Sequence, residues 1–154
     1  MNDPKKNIKI LVTNRQAPFE YFIDDEFEAG IALKGTEVKS IRQGNMTLKE
    51  AWVGIESDGR VVLKQASIAV YSHGNIHNHM PDRPRELLLR NSEIAKMQKH
   101  LEVKGGTLVP LRVYAKGQYI KLAIGLGRGK KQYDKRETTK EREAYRDIER
   151  ALKR

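Results

Sequence analysis

The sequence predicts a mainly β protein: a small closed barrel with flanking helices, followed by a basic C-terminal tail. Three observations point there. Short runs alternate apolar and polar residues with the period of two that sends successive side chains to opposite faces of a strand. Glycine-bearing turn signals separate those runs, and single glycines fall inside them where a small barrel must bend. Beyond Gly127 the apolar pattern thins to Ala144, Ile148, Ala151 and Leu152, too little to build a core. The expected division is a barrel domain over residues 1–127 and a tail over residues 128–154.

Taken in order, residues 7–13 alternate Ile8, Ile10 and Val12 with Lys9, Leu11 and Thr13 and read as a first strand. Asn14-Arg15-Gln16-Ala17-Pro18 breaks it. Residues 19–33 are the longest strand-like stretch. Period two puts Tyr21, Ile23, Phe27 and Ala29 on one face, with Asp25 as the exception, and Phe22, Asp24, Glu26 and Glu28 on the other. Gly30 in mid-run marks a bulge or sharp bend. Residues 35–42 read as a short helix capped by Thr36, with Val38 and Ile41 on one face and Gly44 as the stop. Residues 48–56 and 60–69 read as a hairpin across Ser57-Asp58-Gly59. Trp52, the single tryptophan, is expected in the core or at the barrel rim. Residues 71–84 form a polar loop, and Leu87-Leu88-Leu89 is a short apolar strand or a run into a helix. Asn91 caps a helix over residues 92–104, with Ile94, Met97 and Leu101 at helical spacing, and Gly105-Gly106 ends it. Residues 107–114 and 118–126 make a second hairpin, in which Pro110 favours an edge position or a bulge. Five or six short strands of this kind with one capping helix fit an OB-like Greek-key barrel, whose typical ligands are oligonucleotides.

Charge narrows the function classes. The 154 residues carry a net charge of +10, a field that favours nucleic acid or an acidic membrane surface. There are no cysteines, which excludes a disulfide framework, thiolate metal sites and cysteine catalysis. Residues 1–6 are polar and lack the apolar stretch of a signal peptide, and no run approaches the roughly 20 apolar residues of a membrane span. A cytoplasmic protein is expected.

The densest chemistry lies in residues 125–137, Gly-Leu-Gly-Arg-Gly-Lys-Lys-Gln-Tyr-Asp-Lys-Arg-Glu. Alternating glycines are expected to loosen the backbone and let it approach a phosphate closely. The cations displace counterions from nucleic acid, and Tyr133 offers a face on which a base can stack. Composition alone leaves a solvated, flexible domain end as an equal reading. A Walker-type phosphate loop does not fit: three residues, not four, separate Gly125 from Gly129, and Lys131 stands at the hydroxyl position. Residues 128–154 hold eleven cations against six anions, a net +5 and half the charge of the chain. Thr138 to Glu141 fits a capping box, but such a helix is marginal alone. The segment from Thr138 onward is therefore expected to be disordered when free and helical when a polyanion surrounds it.

Two clusters invite other chemistry. Asp24, Asp25, Glu26 and Glu28 resemble an acid/base or metal site, but alternation separates Asp25 from the other three. On a strand facing RNA, a carboxylate accepts hydrogen bonds from base amino groups. His73, His77 and His79 invite a metal reading, yet Gly and Pro deny them a regular scaffold and no Cys joins them. A loop touching RNA through imidazole, amide, Arg83 and Arg85, or a plain surface loop, are the other readings. Neither a metal nor a cofactor is expected.

The chain resembles the small protein B family, the SsrA-binding proteins that partner transfer-messenger RNA in bacterial ribosome rescue. The resemblance runs from Asn14 to Arg154. It rests on Tyr21-Phe22-Ile23 through Phe27-Glu28-Ala29-Gly30, on Gly35-Thr36-Glu37-Val38-Lys39-Ser40, on residues 85–89, and on Gly129-Lys130-Lys131 with Asp134-Lys135-Arg136. It implies an OB-type barrel and an RNA-binding adaptor with no catalysis of its own. Such an adaptor binds the tRNA-like domain of transfer-messenger RNA (SsrA), aids its alanylation and, with elongation factor Tu, its delivery to stalled ribosomes for trans-translation. The resemblance implies RNA binding at Glu28, Leu88 and Arg90, and Lys39 and Arg42 join them as candidate contacts. It implies that Arg128, Lys130, Lys131, Tyr133, Asp134, Lys135 and Arg136 occupy the ribosomal decoding centre and the empty messenger channel. The chain departs from the common family pattern at Arg90, where Asn or His is usual, at Glu86, where a basic residue is usual, and at Gly127, where Ala is common. The residues alone leave two other functions. One is a nuclease using Asp24, Glu26, Glu28 and the histidine loop. The other is a structural protein that coats nucleic acid.

Overall fold

The computed structural model describes residues 8–72 and 78–152, the side chains of Gln132 and Tyr133 excepted. Asn7, at the start of the expected first strand, and His73 and His77 lie outside the described residues. The elements run β1 (Ile8–Thr13), α1 (Ala17–Glu20), β2 (Tyr21–Ile31), α2 (Gly35–Arg42), β3 (Met46–Thr47), β4 (Trp52–Ile55), β5 (Val61–Lys64), β6 (Ser67–Ile68), β7 (Arg85–Leu88), α3 (Asn91–Glu102), β8 (Gly106–Lys116), β9 (Tyr119–Gly129) and α4 (Gln132–Leu152).

Seven strands form one antiparallel sheet in the order β1-β8-β9-β2-β7-β5-β4, and β3 pairs with β6 apart from it. The protein is thus mainly β with flanking helices. The ladder is open: among the described residues β1 and β4 are its two edges, and the expected closure by hydrogen bonds is not found. The sheet instead curls until β4 lies close to β8, five places away in strand order. Bulges in β1 between Ile10 and Val12, in β2 between Ile23 and Asp25, and in β8 between Pro110 and Arg112 supply the bend. Pro110 therefore sits at a bulge in an interior strand. The bend expected at Gly30 falls instead near Asp24.

The β2 bulge has a second consequence. One extra residue shifts the alternation by one and swaps the faces. Tyr21 and Ile23 pair with Gly129 and Gly127, while Glu26 and Glu28 pair with Gly125 and Ala123 on the same side of β9. Tyr21 and Ile23 therefore share a face with Glu26 and Glu28, not with Phe27 and Ala29 as strict alternation predicts. Phe27 and Ala29 join the main core with Ile41, Leu63, Met97, Leu122 and Ile124. Tyr21 and Ile23 pack on the opposite side of the sheet in a small second cluster with Ala17, Val109 and Leu111.

Local chemistry explains the helix starts. Pro18 opens the single turn of α1, so residues 19 and 20 are helical rather than the head of a strand. The N-cap of α2 is Lys34, not Thr36, because the Lys34 N–H donates to Glu37 Oε1 at 2.8 Å. Thr36 instead places its hydroxyl 2.9 Å from His79 Nδ1. In α3 the cap is one residue earlier than Asn91: the Arg90 N–H donates to Glu93 Oε1 at 3.0 Å. Of the two positions expected for Trp52, the core is not the one taken: it lies 44% exposed on edge strand β4, its ring laid over Gly54, with Lys64 Nζ 5.0 Å from the ring centre.

A buried polar knot ties the loop after β6 to α2. Glu37 and Arg85 are fully buried. Arg85 donates to Glu37 Oε2 at 2.8 Å, to the Ala66 carbonyl at 2.7 Å and to the Pro81 carbonyl at 2.9 Å, and Arg83 reaches the same carboxylate. Burial pushes the Glu37 carboxyl up, but the bonds from Arg83, the Lys34 N–H and Arg85 outweigh it and hold it below the ordinary glutamate range. His79 is buried beside this knot, its Nε2 donating to the Ile68 carbonyl at 3.0 Å. Arg85 and His79 are therefore structural, not the RNA-touching loop groups expected from the sequence.

The glycine-rich stretch is also more ordered than its composition predicts. Gly125 and Gly127 lie inside β9, and a Cβ on Gly127 would sit 2.8 Å from Val109 Cγ2. They are glycines because the neighbouring strand and β2 press against them, not because the chain is loose there. Arg128 and Gly129 complete β9 by pairing with Phe22 and Tyr21, so the expected boundary at residue 127 cuts a strand. The tail that follows is one helix, α4. Thr138 is not its cap but an interior residue whose hydroxyl donates to the Asp134 carbonyl at 3.0 Å. Packing on α1 stabilises its first half, where Arg142 stacks on Phe19 at 5.8 Å and Lys130 bonds both Pro18 O and Thr138 Oγ1.

Candidate nucleic-acid interface

Strand register gathers a set of charged and aromatic side chains on the sheet face opposite the main core. Glu26, Glu28 and Gly30 of β2 stand beside Ala123 and Lys121 of β9. Arg112, Tyr114 and Lys116 of β8 stand on the other flank of β9, with Lys116 opposite Tyr119. Leu88 of β7 pairs with Gly30 and lies on the same face.

The carboxylates on this face are engaged separately. Glu28 accepts from the Tyr114 hydroxyl at 2.5 Å and from Lys116 Nζ at 3.2 Å. The Tyr114 hydroxyl holds the Glu28 carboxyl below its usual range, and burial together with Glu28 pushes the Tyr114 phenol well above its own. Glu26 binds Arg112 at 2.7 Å, while at the β2 bulge Asp24 accepts from Arg128 of the opposite face, from Nε at 2.8 Å and from Nη2 at 3.0 Å. Asp24, Glu26 and Glu28 thus each meet their own cation or phenol, and Asp25 accepts from the Glu26 N–H at 2.8 Å. The four acidic residues of β2 do not converge into one acid/base or metal centre.

Leu88 is 57% exposed and forms one wall of an open groove of about 370 Å³ with Val38, Tyr119 and Lys121. Arg42 donates to the Gln118 carbonyl at 3.1 Å and so stands at the groove rim. Of the five residues expected to touch RNA, Glu28, Leu88 and Arg42 therefore cluster around one sheet face. Lys39, exposed on α2, points its amine at Tyr71, 5.4 Å from the ring centre. Arg90 is exposed at the end of β7, where it caps α3.

The second candidate region lies at the other end of β2, on the opposite face. Phe22 is 39% exposed, with Arg128 at 5.5 Å and Lys130 at 4.8 Å from its ring centre. Lys131, Asp134, Lys135 and Arg136 follow along the start of α4, with the Lys131 N–H 3.4 Å from Asp134 Oδ2. Tyr133 is in the first turn of α4, and its side chain lies outside the described residues.

Sequence reasoning missed Tyr114, Lys116, Tyr119, Lys121 and Phe22. A signal was present: around the turn at Gly117, tyrosine and lysine alternate as Tyr114, Lys116, Tyr119 and Lys121, the interleaving of stacking and charge that single-stranded RNA favours.

A basic, mainly β chain that presents aromatic rings and cations on an uncovered sheet face has the surface of a nucleic-acid-binding protein. The SmpB protein family matches residues 11–154, and the chain belongs to that family. It is 47% identical over 150 residues to the SsrA-binding protein of Oceanobacillus iheyensis, covering 97% of both chains. The SsrA-binding protein of Anoxybacillus flavithermus is 45% identical over the same length and coverage. Among solved structures, a chain from the work titled "tmRNA-SmpB: a journey to the center of the bacterial ribosome" superposes with a TM-score of 0.66 at 40% identity, covering 83% of this chain and 93% of that one.

Proposed function

We propose that this protein binds the tRNA-like domain of transfer-messenger RNA and carries it to stalled ribosomes for trans-translation. The observation that carries the reading is near full-length similarity to SsrA-binding proteins. The face around Glu28, Leu88 and Arg42 is the RNA-binding side, with Lys39 and Arg90 extending it. The segment Arg128, Lys130, Lys131, Tyr133, Asp134, Lys135 and Arg136 is the ribosome-facing side, entering the decoding centre and messenger channel. Arg128 and Lys130, beside Phe22, start that segment on the sheet face opposite Glu28 and Leu88, which suits an adaptor held between two RNAs. The curled sheet acts as an OB-type barrel whose seam between β4 and β8 is packed rather than hydrogen-bonded. Delivery proceeds with elongation factor Tu in the cytoplasm, and the protein performs no catalysis of its own. The separate pairing of Asp24, Glu26 and Glu28 supports an adaptor rather than a nuclease.

The test is RNA affinity in Glu28→Ala and Leu88→Ala, with thermal melting by circular dichroism alongside. Both variants are expected to bind the tRNA-like domain more weakly and to melt like the wild type. Leu88 is more than half exposed, so its truncation opens no core cavity. Normal affinity in both variants would sink the assignment of this face.

A further inference from the structure

Resting on the reading of residues 128–136 as the ribosome-facing segment, we infer that Lys130 is a positioning residue within it. Its amine is turned inward to aim α4 and is not one of the charges that meet ribosomal RNA. Lys130 is half-buried, while Arg128 and Lys131 on either side of Gly129 and Lys130 are exposed. Lys130 Nζ donates to the Pro18 carbonyl at 2.8 Å and to Thr138 Oγ1 at 2.9 Å, and it lies 4.8 Å from the centre of the Phe22 ring. An ammonium has three donors; here two go to oxygens of this chain and an aromatic face covers the group as well. A phosphate contact would have to break both bonds first. Lys131, without a side-chain partner among the described residues, is the free charge of the two.

The single turn of α1 creates the place for this amine. So short a helix leaves most of its carbonyls without a partner inside it. Lys130 caps two of them, its N–H donating to the Glu20 carbonyl at 2.8 Å and its amine to that of Pro18. Only Lys131 separates this cap from Gln132, the first residue of α4. The same amine reaches forward to Thr138, about two turns into the helix. Thr138 Oγ1 is free to accept because its own proton goes to the Asp134 carbonyl at 3.0 Å. Arg142, one turn further on, stacks on Phe19 of α1 at 5.8 Å. The chain is thus held against α1 at residues 130, 138 and 142, and a rod held at three points has a fixed direction. Asp134, Lys135 and Arg136 lie between the first two points and are carried in that direction.

The experiment uses the full-length chain, which has no cysteine, so spin labels attach only where Gln98→Cys on α3 and Ala144→Cys on α4 place them, both at exposed positions. The distance between the labels, read by pulsed electron resonance, is expected to be narrowly distributed and to broaden in Lys130→Met. Thr138→Val and Phe19→Ala, which change no charge, should broaden it too, and Thr138→Val touches no strand, so it reports even where another variant folds poorly. Affinity for purified small ribosomal subunits gives the second readout. All three variants should bind more weakly with the salt slope of the wild type. Lys131→Met should instead make the slope of log K against log salt shallower by about 0.7, the share of one phosphate contact on single-stranded RNA. An unchanged distance distribution in Lys130→Met, or a slope made shallower as in Lys131→Met, would overturn the inference. If the distances broaden while Lys130→Met and Lys131→Met both bind subunits like the wild type, the pin stands and the reading of the segment as ribosome-facing fails.

Discussion

Glu37 shows how a single charged residue can be structural in a chain that otherwise presents its charge to a partner. It is fully buried, and Arg83, Arg85 and the Lys34 N–H all converge on its carboxylate. Removing one member of a buried pair leaves the other charge unpaired in a poor solvent. Glu37→Ala is therefore expected to lose about 3–5 kcal/mol of stability. Replacing Arg85 as well, as Glu37→Leu with Arg85→Met, should recover much of that loss, because no fully buried charge is then orphaned and Arg83, whose side chain is 26% exposed, can turn to water. Denaturant titration of the single and double variants checks this, and a double variant no more stable than Glu37→Ala would overturn the account. The same carboxyl fixes a pH dependence. Its pKa is lowered by folding, so its stabilising effect is complete above the ordinary value of 4.5 and is lost as pH falls through the lower folded value. Acid melts should show the wild type weakening below that ordinary value, and Glu37→Gln should lack this part of the slope.

At the scale of elements, the end of β9 and the start of α4 are fastened to the same place. Arg128 and Gly129 pair with Phe22 and Tyr21, and the Lys130 N–H donates to the Glu20 carbonyl at 2.8 Å. A protein ending at Gly127 removes all of these bonds and uncovers Phe22. A protein ending at Lys131 keeps them. The shorter form is expected to melt lower than the longer, and the longer to melt close to the full-length chain, because α4 adds only the contact of its first half with α1. Equal melting temperatures for the two truncations would show that the strand end contributes nothing. The far half of α4 has little to hold it: Tyr145, Ile148 and Leu152 are all more than half exposed. Helix formation there rests on intrinsic propensity and on whatever surface the helix meets.

For the molecule as a whole, charge and geometry make separable contributions. With a net charge of +10, RNA binding should weaken steeply with salt. If about 5 phosphates are neutralised, log K against log salt should have a slope of roughly −3.5 to −4.5. A salt titration giving a slope near zero would remove the electrostatic part of the mechanism. Changing Asp134, Lys135 and Arg136 together to Ala alters the charge of that segment only from +1 to 0. Affinity for transfer-messenger RNA should barely move, while tagging of stalled chains in a reconstituted translation system should fall strongly. That result would point to placed contacts on the ribosome, since bulk charge is nearly unchanged. Undiminished tagging would show that these three side chains make no such contacts.

Local chemistry was enough to place most of the strands, because period-two alternation and glycine turns act over a few residues, but the run expected as one strand over residues 60–69 is two, β5 and β6, in different sheets, the run 48–56 is a strand only over Trp52–Ile55, and among the described residues nine strands stand where five or six were expected. It was enough to place α2 and α3, whose Ile41 and Met97 are buried where helical spacing predicts. The basic glycine-lysine segment and the RNA-binding class were legible for the same reason, since charge and motif need no fold to be read. Tertiary structure decided what depends on a partner strand. The extra residue in β2 turned Tyr21 and Ile23 to the opposite face, and nothing in alternation announces a bulge until the register with β9 exists. Packing against Val109 and Ile23, not flexibility, explains Gly127 and Gly125. Arg85 looked like a surface cation until Glu37, 48 residues away, came to meet it in the interior. The groove at Leu88 exists only because β2, β7, α2 and the β8–β9 turn converge there, and a convergence of distant segments is a property of the folded chain alone.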